Sequence, residues 1–351
     1  MRQFILLAFL YLFAGQAIGA EITIKSYNPD NDEVRQSADF NYGKPFILLE
    51  GEIVPGDAQR LREQAAILNS WGAPLVLMLN SPGGNVSEAL KIADFVRSSW
   101  ATTWVKGKTV PVKEKDRSVA ACDSACPIIF FAGIERRYSS DNWRHYDADD
   151  PYIIPMENRP PDPKDLPFLP DWMKDDYDIY GNKIPKMEVT KVLGLHRPYF
   201  DAGFNKQLSG EVAKDMYAEL ENTLRAKLDS YGVPTALIER MMRTSSGKID
   251  RINGSELFEL MPRIEPWFDE WRLSKCGELS QEESLDLATS RFNNELAEQG
   301  LEGFGRKFSQ SYVDFLQSRE AEIDNCRTAL VVNQQKQIIQ NEPSSVAASE
   351  E

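Results

Sequence analysis

The chain has 351 residues, and 42% of them are hydrophobic, so it is long enough for one large or two ordinary globular domains and is not disordered throughout. Its 54 acidic residues outnumber its 40 basic residues, which gives a formal net charge of -14. A nucleic-acid surface needs clustered Lys and Arg, and no basic block occurs, so we expect no nucleic-acid partner.

The N-terminus has the pattern of a secretory signal peptide, predicted for residues 1–20. Arg2 precedes an apolar run from Phe4 to Ala14, and small residues follow it. We expect cleavage after Gly19 or Ala20. An uncleaved anchor is the alternative, but the run is shorter than the roughly 20 residues of a membrane span. The mature protein is therefore expected to be periplasmic or secreted.

Predicted strands and helices alternate along residues 46–132. The apolar runs 46–51 and 74–80 are typical of buried strands, and the second is expected to be covered on both faces. Amphipathic helices are predicted from Asp57 and over 85–99, a third strand over 101–105, and an apolar helix over 125–132. This alternation favours an α/β fold with parallel strands and right-handed crossovers.

Residues 141–187 differ in composition, with eleven Asp or Glu, eight Pro and no apolar periodicity. We interpret them as an insertion in an α/β domain of residues 21–265, either a functional lid or a disordered excursion. A strand from Val189 to His196 is predicted after it. Helices are then expected over 207–231 and from Thr235 to about Arg243.

The C-terminal part, residues 266–332, is predicted to be a helical hairpin. Ser280 and Glu283 form a capping box for the first helix, residues 300–305 make the turn, and the second helix runs to about Cys326. Residues 333–351 are polar and lack aromatic residues, which predicts a disordered tail.

Four cysteines in an exported protein favour two disulfide bonds. The hairpin would make Cys276 and Cys326 neighbours, although two free buried thiols are the alternative. Cys122 and Cys126 would clamp the turn between them if oxidised, or pack as small apolar side chains if reduced. With two histidines and no second ligand pair near Cys122, we expect no metal ion, and we expect no cofactor.

Two further segments carry residue types that suit hydrolytic chemistry. Ser81-Pro82-Gly83-Gly84 follows a predicted buried strand, and its paired glycines let a substrate carbonyl approach the main chain. An amide of Gly83 or Gly84 is therefore a candidate oxyanion donor, and a tight strand-to-helix turn is the simpler alternative. Ser124 stands between an apolar strand and an apolar helix, a corner that suits a nucleophilic serine or an N-cap, and the Ala125 amide is a second candidate donor.

A serine hydrolase of the Ser-His type needs an imidazole as general base, and the chain contains only His145 and His196. His145 falls in the acidic insertion. His196 ends a predicted strand, at the end of the sheet where the Ser81 turn is expected. His196 is thus the candidate base, and a histidine satisfied by core hydrogen bonds is the alternative.

Taken in order, these segments resemble the ClpP family, the proteolytic subunit of the Clp protease. The matching pieces are GEI before a helix, LNSPGG before an amphipathic helix, a serine opening an apolar helix that ends in AG, and a strand followed by His-Arg-Pro. The resemblance spans roughly Phe46 to Met261 without the insertion, and the two cysteines around the serine are similar to those of exported ClpP-like proteins. It implies a ClpP/crotonase-like fold with a repeated β-β-α core and a parallel sheet.

The resemblance also implies the roles of single residues in a serine peptidase. By position, the nucleophile, the general base and the oxyanion donors are Ser124, His196 and the amides of Gly83, Gly84 and Ala125. The third member of the triad falls in TSSGKIDRINGSELFELM, where Asp250 is the carboxylate nearest the expected place. Ser245 or Ser246 is an alternative orienting group, and a site without any third member is another alternative.

An exported protein meets no ATP, and the chain has no GxxxxGK[ST] phosphate loop, so no ATPase partner is expected. We expect an ATP-independent endopeptidase that hydrolyses peptides or unfolded segments through a Ser124 acyl-enzyme. A catalytically inactive peptide-binding or scaffold protein of the same fold is one alternative. A crotonase-like acyl-thioester enzyme is another, although its coenzyme A is cytoplasmic. A homo-oligomer is implied by the resemblance alone.

Overall fold

The structure, a computed structural model, describes residues 19–26, 45–105, 122–138, 191–199, 209–298 and 305–341. Its strands are β1 (Glu21–Ser26), β2 (Pro45–Glu50), β3 (Val76–Asn80), β4 (Thr102–Val105), β5 (Cys122–Asp123), β6 (Glu135–Tyr138), β7 (Lys191–Leu195) and β8 (Asp250–Asn253). Its helices are α1 (Asp57–Ser70), α2 (Val86–Ser98), α3 (Cys126–Ala132), α4 (Gly210–Ser230), α5 (Thr235–Arg243), α6 (Gly254–Leu260), α7 (Pro266–Cys276), α8 (Gln281–Glu298) and α9 (Gln310–Asn341).

The larger sheet has the strand order β1-β2-β3-β4-β6. Strands β2, β3, β4 and β6 are parallel, and β1 pairs with β2 in the antiparallel direction. Parallel neighbours require crossover connections, and α1 and α2 lie between successive strands of this sheet along the chain. The prediction of an α/β structure with parallel strands is confirmed.

A smaller sheet has the order β5-β7-β8, with β5 parallel to β7 and β7 antiparallel to β8. The two sheets meet just after β3, where Ser81 forms a parallel bridge with Cys122. There the Asp123 amide donates to the Ser81 carbonyl at 2.9 Å. This junction brings the turn after β3 next to Ser124.

The burial of β3 differs from the prediction. Leu77 and Leu79 are fully buried, whereas Val76 and Met78 on the opposite face are half-buried among the described residues. The two half-buried side chains pack against a small cluster that contains Phe46. An unbroken apolar run therefore did not mean equal burial of both faces. Helix α1 is amphipathic as predicted, and its buried apolar side chains are Ala58, Leu61, Ala65 and Leu68.

Strand β1 was not predicted, because residues 21–44 are largely polar. Ile22 and Ile24 alternate with polar residues, and both pack against the core. Ala20, directly before β1, is fully buried. Residues 1–18 of the predicted signal peptide lie outside the described residues, as does the predicted insertion at 141–187 with His145. None of the helices in the described ranges is both long and apolar enough to cross a membrane.

Helices α8 and α9 lie side by side after α7. The Tyr312 hydroxyl donates to the Asp286 carboxylate at 2.9 Å, and Arg319 pairs with Glu283. The disulfide between Cys276 and Cys326 joins the end of α7 to α9.

The predicted tail boundary at residue 333 is wrong, because α9 continues to Asn341. Gln335 is fully buried there: its side-chain oxygen accepts from the Leu75 amide at 2.8 Å, and its side-chain nitrogen donates to the Trp100 carbonyl at 3.2 Å. A polar side chain that satisfies backbone groups of the core is indistinguishable, by composition, from one in a disordered tail. Residues 342–351 lie outside the described part of the chain.

We predict that Gln335→Ala lowers the free energy of unfolding by about 1–3 kcal/mol, because the Leu75 amide and the Trp100 carbonyl then lose their buried partner. Urea unfolding followed by circular dichroism measures this change. Gln337→Ala, at an exposed position of the same helix, is the matched control and should change stability by less than about 0.5 kcal/mol. Equal stability of the two variants would show that α9 is not anchored through Gln335.

Candidate active site

Ser124 occupies a sharp corner between β5 and α3. Its backbone is left-handed, with φ of 61°, a conformation that costs a non-glycine residue about 1–2 kcal/mol. Its neighbours Asp123 and Ala125 are buried, while Ser124 itself is partly exposed. Strained residues of this kind persist where the surrounding structure fixes them, and they concentrate at functional sites.

Three contacts fix this corner. The Ser124 amide donates to the Gly194 carbonyl of β7 at 2.9 Å. The Cys122–Cys126 disulfide closes the corner across a Cα–Cα distance of 5.2 Å. Every residue of α3 is buried, so the helix that follows is anchored in the core. Both predicted disulfides are thus present, and one of them brackets the candidate nucleophile.

Gly83 lies directly against the serine corner. Its φ is 98°, and a Cβ at this position would stand 2.4 Å from the Ser124 Cβ and 2.8 Å from the Ala125 nitrogen. Neither approach is possible for a residue with a side chain. The structure therefore brings together Gly83, Ser124 and Ala125, three of the residues predicted to form the site.

The main-chain amides near Ser124 differ in availability. The Gly83 amide donates to the Ser81 hydroxyl at 3.1 Å. The Gly84 amide has no acceptor among the described residues, although its Cα is close to Ile53, since a Cβ on Gly84 would lie 2.3 Å from the Ile53 carbonyl oxygen. The Ala125 amide has no acceptor among the described residues. The amides of Gly84 and Ala125 are thus both available as oxyanion donors, and the Ala125 amide directly follows Ser124 in the chain.

His196 follows β7 and is only 7% exposed. Its Nδ1 lies 2.8 Å from the Arg197 carbonyl oxygen, which can only accept, so the neutral ring carries its proton on Nδ1. The Arg197 amide in turn donates to the Thr244 carbonyl at 2.9 Å, and the Tyr199 ring packs 5.6 Å from the imidazole centre. These contacts leave Nε2 as the basic nitrogen.

Ser124 and His196 lie on adjoining segments without a direct hydrogen bond in the described structure. The Ser124 amide is bonded to Gly194, and His196 is two residues further along that segment. Hydrogen bonds between catalytic groups commonly tighten only when substrate is bound.

Within the described ranges, Asp250, the predicted third triad member, makes no hydrogen bond to His196. Both oxygens of its carboxylate pair with Arg240, at 2.5 and 2.9 Å. Asp250 is opposite Leu195 in the ladder, so its side chain is on the side of the sheet opposite to Gly194 and Arg251. The alternatives Ser245 and Ser246 are exposed and make no bond to His196.

Two charged residues that the sequence did not single out lie beside the site. Asp123 is 4% exposed, and its Oδ1 accepts from Arg251 Nη1 at 2.9 Å. Burial raises the pKa of the Asp123 carboxyl, while the charge and hydrogen bond of Arg251 and the charge of His196 oppose that rise. The only sequence signal was the acidic residue directly before the candidate nucleophile.

Among the described residues, no group of three His, Cys, Asp or Glu side chains is placed to hold a metal ion.

No protein-family model matches this chain, and no curated protein matches it either. Among solved structures, the chain is similar to a mutant of ClpP1 from Listeria monocytogenes, with 15% sequence identity and a TM-score of 0.32. The alignment covers 61% of this chain and 86% of that one. At this sequence identity and TM-score, the similarity does not show the family of the chain.

We predict that Gly83→Ala lowers the free energy of unfolding by at least about 2 kcal/mol, because it adds both a strained φ and a clash with Ser124. Thermal unfolding measures the loss. Gly247→Ala is the matched control, since a Cβ there meets no heavy atom within 4 Å. A Gly83→Ala protein as stable as wild type would contradict the close approach described here.

Proposed function

We propose that the protein is an exported, ATP-independent serine peptidase in which Ser124 is the nucleophile and His196 the general base. The observation that carries the proposal is the strained corner at Ser124, where the Gly83 main chain approaches and the Ala125 amide follows. The segment that leads to His196 is held at the same corner, because the Ser124 amide donates to the Gly194 carbonyl. The ordered motifs shared with the ClpP family point to the same residues.

In the proposed reaction, Ser124 Oγ attacks the carbonyl carbon of a substrate amide, and its proton passes to His196 Nε2. The carbonyl oxygen becomes an oxyanion, which the Ala125 amide and an amide of the Gly83–Gly84 turn stabilise. The imidazolium then gives its proton to the leaving amine, so that the C–N bond breaks and an acyl-Ser124 ester remains. Water attacks this ester, with His196 again as base, and Ser124 is restored.

The orienting role of a triad carboxylate falls here to the Arg197 carbonyl. It holds the Nδ1 proton of His196 and so keeps Nε2 free to accept one. The Thr244 carbonyl fixes the Arg197 amide, and this makes the end of α5 part of the support of the base.

The two disulfides indicate an oxidising, extracellular environment. Together with the N-terminal charge and hydropathy pattern, they support export to the periplasm or the medium. In that setting we propose peptides or unfolded protein segments as substrates, with no ATPase partner. We also propose that several copies of the chain assemble, and this part of the proposal is supported by the motif resemblance alone.

A non-catalytic binding protein is the second candidate. It is favoured by the lack of a Ser124–His196 hydrogen bond in the described structure and by the pairing of Asp250 with Arg240 instead of His196. Such a protein would keep the Gly83–Ser124 corner as part of a peptide groove without forming an acyl-enzyme.

The direct test is labelling of the mature protein with a fluorophosphonate probe, followed by peptide mass mapping. We expect an adduct on Ser124 that is absent from Ser124→Ala and strongly reduced in His196→Gln, because the serine needs its base. A folded wild-type protein that takes up no probe would contradict the peptidase and favour the binding protein.

The bracketing disulfide gives a second prediction. We expect the double variant Cys122→Ala/Cys126→Ala to be labelled about 10–100-fold more slowly, since small displacements of a nucleophile cost that much. The double variant Cys276→Ala/Cys326→Ala is the matched control. It should be less stable by about 2–4 kcal/mol yet keep the wild-type labelling rate at temperatures where it is folded. Equal labelling of the two variants would show that the first disulfide does not hold Ser124 in place.

A further inference from the structure

A buried charge pair crosses the small sheet next to the nucleophile. In the ladder, Asp123 of β5 and Arg251 of β8 are each paired with Gly194 of β7. Because Gly194 has no side chain, the carboxylate and the guanidinium meet directly above it. A Cβ on Gly194 would lie 2.0 Å from Asp123 Oδ1, so glycine is required for this contact.

His196 lies close to this pair along the chain. It follows Gly194, over which the pair meets, by two residues and comes directly after the end of β7 at Leu195. The charges of the Asp123 carboxylate and of the imidazole interact. Asp250, one residue before Arg251 on β8, faces the side of the sheet opposite to Arg251.

We propose that Asp123, held by Arg251, is the buried carboxylate that stabilises the protonated imidazole of His196 when it takes the proton of Ser124. The inference rests on the proposed function and assigns the anionic partner of that same site. Asp123 acts through His196, so it is a positioning residue. In a serine triad the third residue both orients the histidine and stabilises its positive charge. Here Asp123 stabilises the charge, while the Arg197 carbonyl orients the ring.

Arg251 is needed because an isolated buried carboxylate tends to take up a proton. Burial raises the pKa of the Asp123 carboxyl, and the guanidinium counteracts this. The other charged groups of the adjoining segments are the exposed Arg197 and, on α5, β8 and α6, Arg240 with its two partners Asp250 and Glu256. The carboxylate of Asp123 lies on the face of the sheet above Gly194, whereas Asp250 faces the opposite side.

The test compares Asp123→Asn with Asp250→Asn, which make the same chemical change on opposite faces of the sheet. The rate of fluorophosphonate labelling of Ser124 is followed from about pH 5 to about pH 9. For Asp123→Asn we expect labelling at least about tenfold slower, with the acid limb of the profile moved to lower pH, because the imidazolium has lost its anion. For Asp250→Asn we expect a labelling rate within about twofold of wild type, with the acid limb of its pH profile at the wild-type position.

A folded Asp123→Asn protein with the wild-type rate and profile would overturn the inference, as would equal changes in both variants. If Asp123→Asn does not fold, Arg251→Gln replaces it, because loss of the cation lets the buried carboxyl protonate and should give the same slower rate and moved limb. A folded Arg251→Gln protein with the wild-type profile would equally overturn the inference. Absence of labelling in the wild type is a different result, since it contradicts the peptidase itself.

Discussion

Three stretches of main chain converge at Ser124, and they can do so only because two positions lack a side chain. Gly83 lies under the serine corner, where a Cβ would stand 2.4 Å from the Ser124 Cβ, and Gly194 lies under the Asp123 carboxylate. The left-handed backbone of Ser124 and the Ala125 amide both lie where the Gly83 main chain approaches the corner. Each glycine is thus a requirement of the site and not only of a turn.

The site is held mainly by main-chain groups. The Gly194 carbonyl holds the Ser124 amide, the Arg197 carbonyl holds the His196 ring, and the Thr244 carbonyl holds the Arg197 amide. Main-chain carbonyls have no side-chain torsions to change, so this arrangement orients the base without a flexible carboxylate. The buried charge of Asp123 then acts on a ring whose orientation is already fixed.

The elements that depend on local apolar patterns could be predicted from the sequence. Those whose position depends on pairing with distant strands could not. The runs that form β2, β3 and α1, and both cysteine pairs, were found because burial and spacing are visible in the chain. Strands β6 and β8 were missed, since at least half of the residues in ERRY and DRIN are charged. Asp250 was chosen by position, but ladder register placed Arg251 on the relevant face, and a one-residue shift reverses the facing of every side chain.

The central claim is that the corner at Ser124 is a preorganised nucleophile with an oxyanion donor beside it. A crystal structure of the fluorophosphonate adduct tests it most directly, because the phosphoryl oxygen marks the oxyanion position. The account predicts that this oxygen lies about 2.7–3.1 Å from the Ala125 nitrogen, with the Gly83–Gly84 turn beside it. An adduct whose phosphoryl oxygen points into solvent, away from the Ala125 amide, would contradict it.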